Sequence, residues 1–183
     1  LELPPSEALY PVPVVLVSCG NQDLANIITI AWCGVACSKP PLLTISIRPS
    51  RHSSNIIKGS GDFVINMVDE NLAEAMNKAA AAYAPEVDEI KEVGLTALPS
   101  EMVKSPRIAE APISMECRLI QILELGHKPT RSTIILGEVL MVHVKDEVMT
   151  QGKIDPLKTK IIARLGDNDI YCRTTDVFKM KRL

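Results

Sequence analysis

Residues 42–48 alternate without a break: Leu43, Ile45 and Ile47 fall on one side, and Thr44, Ser46 and Arg48 on the other. A period of two marks a strand with one apolar face and one polar, hydroxyl-bearing face. β-rich runs recur at 13–19, 26–38, 62–68, 113–125 and 133–145. Turn signals separate them. Gly20-Asn21-Gln22-Asp23 makes the first two runs read as a hairpin, and Pro40-Pro41 breaks the chain before 42–48. Helical spacing is confined to inserts. One or two turns are predicted over 53–58, ended by Gly59 and Gly61. The best helix is predicted over 71–83, where Leu72, Ala75, Met76, Ala79 and Tyr83 share a face and Asn71 with Glu74 suggests a capping box. A shorter helix is expected over 87–93, closed by Gly94, and the tail suggests a helical piece over 156–165 and a strand over 170–173. The regular strand–helix alternation of a parallel sheet is missing. The expected fold is therefore mainly β, an antiparallel barrel with inserted helices, in one domain over 1–183.

Composition narrows the function. At 46% hydrophobic residues the chain is not a disordered one. A net charge of −2 leaves no basic field for nucleic acid. Aromatics, at 3%, are too few for base-stacking platforms and demand an aliphatic core. Cys19, Cys33, Cys37, Cys117 and Cys172 include no Cys-x-x-Cys pair and sit in apolar settings, so buried, reduced thiols in a reducing compartment are expected. Residues 1–10 lack the basic region of a secretory signal, and no apolar stretch is long enough to span a bilayer. A soluble cytoplasmic protein without a membrane partner is the expectation.

Two segments carry candidate chemistry. In Thr44-Ile45-Ser46-Ile47-Arg48-Pro49-Ser50-Arg51-His52-Ser53-Ser54, a strand edge delivers hydroxyls and a guanidinium, and a turn then delivers Arg51, His52 and two serines at a helix start. Helix N-termini favour anions and Arg binds phosphate with two hydrogen bonds, so the segment reads as a phosphate cradle. A serine N-cap beside two solvated arginines accounts for the same residues. In Asn26-Ile27-Ile28-Thr29-Ile30-Ala31-Trp32, Thr29 and Ala31 form a small, polar face against which a flat ligand can lie. A half-buried hairpin strand with a core tryptophan also fits, and strand parity predicts Trp32, the only tryptophan, to be largely buried. His52, His127 and His143 have no metal-ligand spacing, and His143 reads as a structural strand residue. No nucleophile elbow, Walker loop or dinucleotide fingerprint is present, so no metal is expected, no catalytic residue is assigned, and any reaction needs a borrowed cofactor.

These segments, with others in order along the chain, resemble the flavin-reductase-like, FMN-binding split-barrel family, flavoredoxins in particular. Pro11-Val12-Pro13-Val14-Val15-Leu16-Val17 resembles its opening strand, Asn26 with Thr29-Ile30-Ala31-Trp32 its second-strand motif, and Pro40-Pro41 with Ile45-Ser46-Ile47-Arg48-Pro49 its third strand and turn. Arg51-His52-Ser53 is similar to the family's element ahead of the short helix, and Gly61-Asp62-Phe63-Val64-Ile65-Asn66 matches its Gly-x-Phe-x-x-Asn strand. Val93-Gly94-Leu95-Thr96, Glu110-Ala111-Pro112, Met115-Glu116-Cys117, Leu136-Gly137-Glu138-Val139, Gly152-Lys153-Ile154-Asp155 and Arg164-Leu165-Gly166 are similar to later landmarks.

The resemblance implies a Greek-key split barrel and a homodimer with FMN near the subunit interface. Its ring would lie along the second and third strands, near Asn26, Thr29, Ile30, Ala31, Trp32, Ser46 and Ile47. Its phosphate would be held by Arg48, Ser53, Ser54 and the helix start, supported by Arg51 or His52. The implied function is a flavin oxidoreductase passing electrons from NAD(P)H, or from a redox protein partner, through FMN to an acceptor. A non-catalytic FMN carrier serving partner proteins is the alternative. Two departures bear on the donor. Ser132 stands where many members have a nicotinamide-side His, with His127 further upstream. Residues 79–84 lack the family's common basic residue, leaving Lys78 as the nearest cation.

Overall fold

The computed structural model describes residues 1–21, 24–129, 131–166 and 169–181. Gln22 and Asp23 of the expected turn, Thr130 of the 126–132 loop and parts of the tail lie outside the described residues. In chain order the first elements are β1 (Val12–Pro13), β2 (Val15–Gly20), β3 (Ala25–Ile30), β4 (Cys33–Ser38), β5 (Pro41–Ile47), α1 (His52–Ser60) and β6 (Asp62–Met67). There follow α2 (Ala73–Lys78), α3 (Glu89–Glu92), β7 (Ala97–Leu98), β8 (Arg107–Ile108), β9 (Ile113–Leu125) and β10 (Ser132–Val144). The tail contributes β11 (Met149–Thr150), β12 (Lys153–Ile154), β13 (Ile162–Arg164) and β14 (Tyr171–Arg173). Among the described residues no helix is long and apolar enough to cross a membrane.

Seven antiparallel strands form one sheet in the order β3-β2-β6-β9-β10-β5-β4. Its two edge strands, β3 and β4, are neighbours in sequence, joined only by Ala31-Trp32. The Ser46 N–H donates to the Trp32 carbonyl at 2.8 Å, which carries the β4–β5 pairing one residue further and holds the link between the two edges against β5. The sheet therefore rolls into the expected antiparallel split barrel, with its seam at Trp32.

Parity sorts the core into two layers. Val15, Val17, Cys19, Ile28, Ile30, Ile45, Ile47, Phe63, Ile65, Cys117 and Ile135 fill the barrel, with Ile57 of α1 packed among them. Val14, Leu16, Ala25 and Ile27 face outward under α2, α3 and Ile162. The Gly-x-Phe-x-x-Asn landmark acquires a packing reason. A Cβ on Gly137 would lie 2.5 Å from Cζ of the fully buried Phe63, so the ring fills the space that a side chain on β10 would need.

Three sequence expectations are corrected. The single strand over 26–38 is two strands, because the chain changes sheet edge at Ala31-Trp32. The helix over 71–83 is a 3-10 turn (Glu70–Leu72) followed by the six-residue α2. Thr29 stops it: its hydroxyl donates to the Met76 carbonyl at 2.5 Å and its N–H to Ala79 at 3.4 Å, taking acceptors that further turns would use. The cap is Asp69, which accepts from Leu72 N, rather than Asn71. The piece expected as helix over 156–165 is a turn leading into β13, which joins β1 and β14 and donates from Ile162 N to the Val68 carbonyl. Of the five free cysteines, Cys19 and Cys117 are buried as expected, while Cys33, Cys37 and Cys172 are partly exposed.

Buried polar side chains pin the long connection between α3 and β9. Asp62 accepts from Ser105 N and Oγ and from Lys104 N. Glu116, 0% exposed, accepts from Glu101 N (2.9 Å), Met102 N (2.6 Å) and His143 Nε2 (2.6 Å), which gives His143 the structural role expected of it. Burial pushes the Glu116 carboxyl up, but these hydrogen bonds together hold it below the ordinary carboxylate range. A carboxyl lowered on folding stabilises fully above its unfolded pKa, and that contribution is lost as pH falls through the folded value. Acid titration of unfolding free energy should show a loss beginning near about pH 4–5, and Glu116→Gln should flatten it. An unchanged acid limb in the variant would remove Glu116 from the account.

Candidate functional site

A cleft opens on the outer side of the barrel seam. Its main chamber, about 580 Å³, is lined by 28–32 from β3 and the seam, by Ser46, Ile47, Arg48, Ser50 and Arg51, by Ala80 and Ala82, and by Ser132 and Arg164. A second chamber of about 880 Å³ continues under the N-terminal arm, between Ser6–Tyr10 and Arg164–Gly166. Trp32, Arg48, Ser132 and Arg164 line both, so the chambers form one site.

The seam creates the site. On β5, Ile45 and Ile47 turn into the barrel, which leaves Ser46 and then Arg48 outside. Trp32 is 52% exposed, which corrects the expectation of a core tryptophan. That expectation took strand parity through residue 32, but β3 ends at Ile30, and Trp32 lines the same cleft as Thr29 and Ala31. The Arg48 guanidinium is exposed and makes no side-chain hydrogen bond or ion pair among the described residues.

Arg51 donates from Nη2 to the Ala81 carbonyl at 2.7 Å. It thus brings a cation to the alanine-rich wall that the sequence left without one. Lys78 is turned away in an ion pair with Glu74 at 2.8 Å. The wall itself is not legible in sequence: a run of alanines reads as helix, and only the capture of α2 by Thr29 places it here.

Other expected site residues lie behind the cleft. Ser53 Oγ donates to Asn26 Oδ1 at 2.5 Å, Asn26 Nδ2 donates to Glu89 Oε1 at 2.6 Å, and Ile27 N donates to Glu89 Oε2 at 3.4 Å. This buried chain ties α1, β3 and α3 together. Burial pushes the Glu89 carboxyl up, partly opposed by the hydrogen bonds from Ile27 and Asn26. Ser54 is buried with its hydroxyl unpartnered among the described residues, and His52 is half-buried at the start of α1. The structure brings together Thr29, Ile30, Ala31, Trp32, Ser46, Ile47, Arg48 and Arg51. Asn26, His52, Ser53 and Ser54 fall outside the cleft lining. The serines face inward because they occupy the first turn of a helix packed against the barrel, where phase, not chain position, decides orientation. Burial pushes the thiol of Cys33, next to the seam, up to about 11, which disfavours its thiolate.

The arrangement suits a planar, anionic ligand. Trp32 and the alanines offer apolar contact, Ser46 and Ser132 offer hydroxyls, and Arg48 and Arg51 offer positive charge. A family model, the flavin reductase like domain, matches residues 7–158. Nitrilotriacetate monooxygenase component B from Bacillus cereus superposes with a TM-score of 0.87 at 27% identity, over 94% of this chain and 89% of that one. Flavoredoxin of Desulfovibrio vulgaris (Miyazaki F) gives 0.88 at 25% identity, over 98% and 96%. An uncharacterized protein of Aquifex aeolicus is 33% identical over 167 residues, covering 86% of this chain and 82% of its own.

Proposed function

The chain belongs to the flavin reductase-like family, and from that membership we propose that it is an FMN-dependent oxidoreductase drawing electrons from NAD(P)H or a protein donor. The observation that carries the reading is one cleft at the barrel seam with Trp32, Arg48 and Ser132 common to two chambers. Each chamber, about 580 Å³ and about 880 Å³, falls within the roughly 300–1,000 Å³ usual for ligand sites. The lining of the main chamber fits FMN: Arg48 and Arg51 offer cations for the phosphate, and Trp32 with the alanines offers apolar contact for the ring. FMN, when bound, supplies the redox chemistry.

The chain's residues supply position and charge. Arg48 and Arg51, with Ser50, hold the phosphate; this replaces the serine pair Ser53-Ser54, whose side chains lie inside. Residues 29–32 and Ser46 flank the ring. The second chamber, under the N-terminal arm, leaves room for a reaction partner beside it. Ser132, standing where relatives of this kind often carry a His, favours a second reading in which protein partners alone exchange electrons with bound FMN.

Trp32 is the only tryptophan and lines the cleft, so FMN titrated into flavin-free protein should quench most of the intrinsic tryptophan emission. Saturable quenching by FMN supports the site, and unquenched emission at saturating FMN would place the flavin elsewhere. Rapid mixing of the loaded protein with NADH and NADPH then separates the readings. Bleaching on a turnover timescale marks the enzyme; bleaching by a protein donor only marks the carrier.

We also propose a homodimer. β4 is an edge strand of the sheet, and Val35 (77% exposed), Ile120, Leu123 and Leu125 leave apolar side chains in the open. Sedimentation at micromolar concentration should give twice the chain mass of 20.0 kDa, and a monomer would end this proposal.

A further inference from the structure

Ser46 and Ser132 are diagonal neighbours. Ser46 pairs with Ile134 in the β5–β10 register, and Ser132 lies two residues along on the same outward face. Their hydroxyl oxygens stand 2.5 Å apart, half-buried, in the lining of the main chamber. A hydroxyl pair has two protons and uses only one on itself. Neither hydroxyl has a third hydrogen-bond partner among the described residues. Thr29 offers no substitute, since its hydroxyl is spent on the Met76 carbonyl. The pair is thus a neutral donor with one free proton, fixed on two strands of the barrel where the chambers meet.

We infer that the Ser46–Ser132 pair donates a hydrogen bond to an edge atom of the flavin ring that gains negative charge on reduction, and thereby favours the reduced ring over the oxidised one. The inference rests on the flavin reading above. The physical basis is that a donor to an atom gaining negative charge strengthens as the charge develops, more so in a half-buried site. Ser46 receives its orientation from the barrel: its own N–H holds the Trp32 carbonyl at 2.8 Å, so the hydroxyl that meets Ser132 belongs to the residue that closes the seam. Ser132 is then a residue that tunes the cofactor without charge, in contrast to an ionisable imidazole at the same place.

The test is the affinity of flavin-free protein for FMN in two states, oxidised and dithionite-reduced, without oxygen. Ser132→Ala should lower the ratio of reduced to oxidised affinity about tenfold, which is about 30 mV in the two-electron potential. Ser132→Thr keeps a hydroxyl and should restore most of the ratio. Ser46→Ala should resemble Ser132→Ala. Equal weakening of both states in the alanine variants, or an unchanged ratio, overturns the inference while leaving the flavin reading intact. A parent protein that binds neither form of FMN overturns both. Circular dichroism melts of the variants separate local from global effects: an alanine variant that melts with the parent but keeps the parent ratio counts against the pair.

Discussion

Arg48→Ala should weaken FMN binding about tenfold to a hundredfold and leave riboflavin binding unchanged. Arg48 follows the last inward residue of β5, its guanidinium is exposed in both chambers, and no described side chain pairs with it. Hydrogen bonds to a charged group are worth about 1.5–3 kcal/mol, and about 1.4 kcal/mol is a factor of ten in affinity. Riboflavin lacks the phosphate, so it reports the ring contacts alone. Arg51→Ala makes an instructive comparison. It removes a cation and also the hydrogen bond that holds the Ala81 carbonyl, so it should weaken FMN and, to a smaller extent, riboflavin. Titration of flavin-free protein with each ligand measures both. Parallel losses of FMN and riboflavin in Arg48→Ala would mean that Arg48 contacts the ring or supports the seam, and the phosphate assignment would fall.

Asn66→Ala should cost about 3–5 kcal/mol of unfolding free energy, a large part of the roughly 5–15 kcal/mol that holds a typical domain together. The Asn66 amide is completely buried and works in both directions. Its Nδ2 donates to the Leu16 carbonyl at 3.1 Å and to Ser18 Oγ at 3.0 Å. Its Oδ1 accepts from Ile108 N at 3.1 Å and from Ser114 Oγ at 2.8 Å. Removing it takes the acceptor from Ile108 N of β8 and Ser114 Oγ of β9, each at about 1–3 kcal/mol, partly relieved by relaxation, while on β2 the Ser18 hydroxyl keeps its bond to the Pro106 carbonyl. Asn66→Asp keeps the acceptor and loses the donors, and it also buries a charge, so it should not rescue. Urea melts of the three proteins provide the measure. A loss under about 1 kcal/mol for Asn66→Ala would show that water replaces the amide, and the hub would not be what closes β8 over the barrel.

The strands were legible because their burial is periodic and local. β9 spans the expected 113–125, β10 and β5 differ from expectation by one residue at each end, and α1 ends at a left-handed glycine as Gly61 suggested. The landmarks of the family resemblance also proved to be packing devices as much as site residues. Phe63 needs Gly137, and Asn66 needs β8, which no one-dimensional pattern connects. The helix over 71–83 was misread for a related reason. Its spacing is helical, but Thr29, more than forty residues away, takes the carbonyls that would extend it.

The candidate site divides along the same line. Alternation within 42–48 alone told that Ser46 and Arg48 leave the barrel, because a strand's side chains must alternate. The chain by itself therefore determined the β class, the apolar faces and the polar edge of the third long strand. Which residues meet at the cleft was decided only by tertiary structure. Closing the sheet at Ala31-Trp32 ended β3 early, turned Trp32 from the expected core into the cleft, and set Ser132 against Ser46 across the β5–β10 ladder. Packing α1 on the barrel sent Ser53 to Asn26 and away from the ligand side. Periodicity encodes which way a side chain points within an element; which elements face each other depends on contacts between residues far apart in the chain, and these exist only once the barrel has closed.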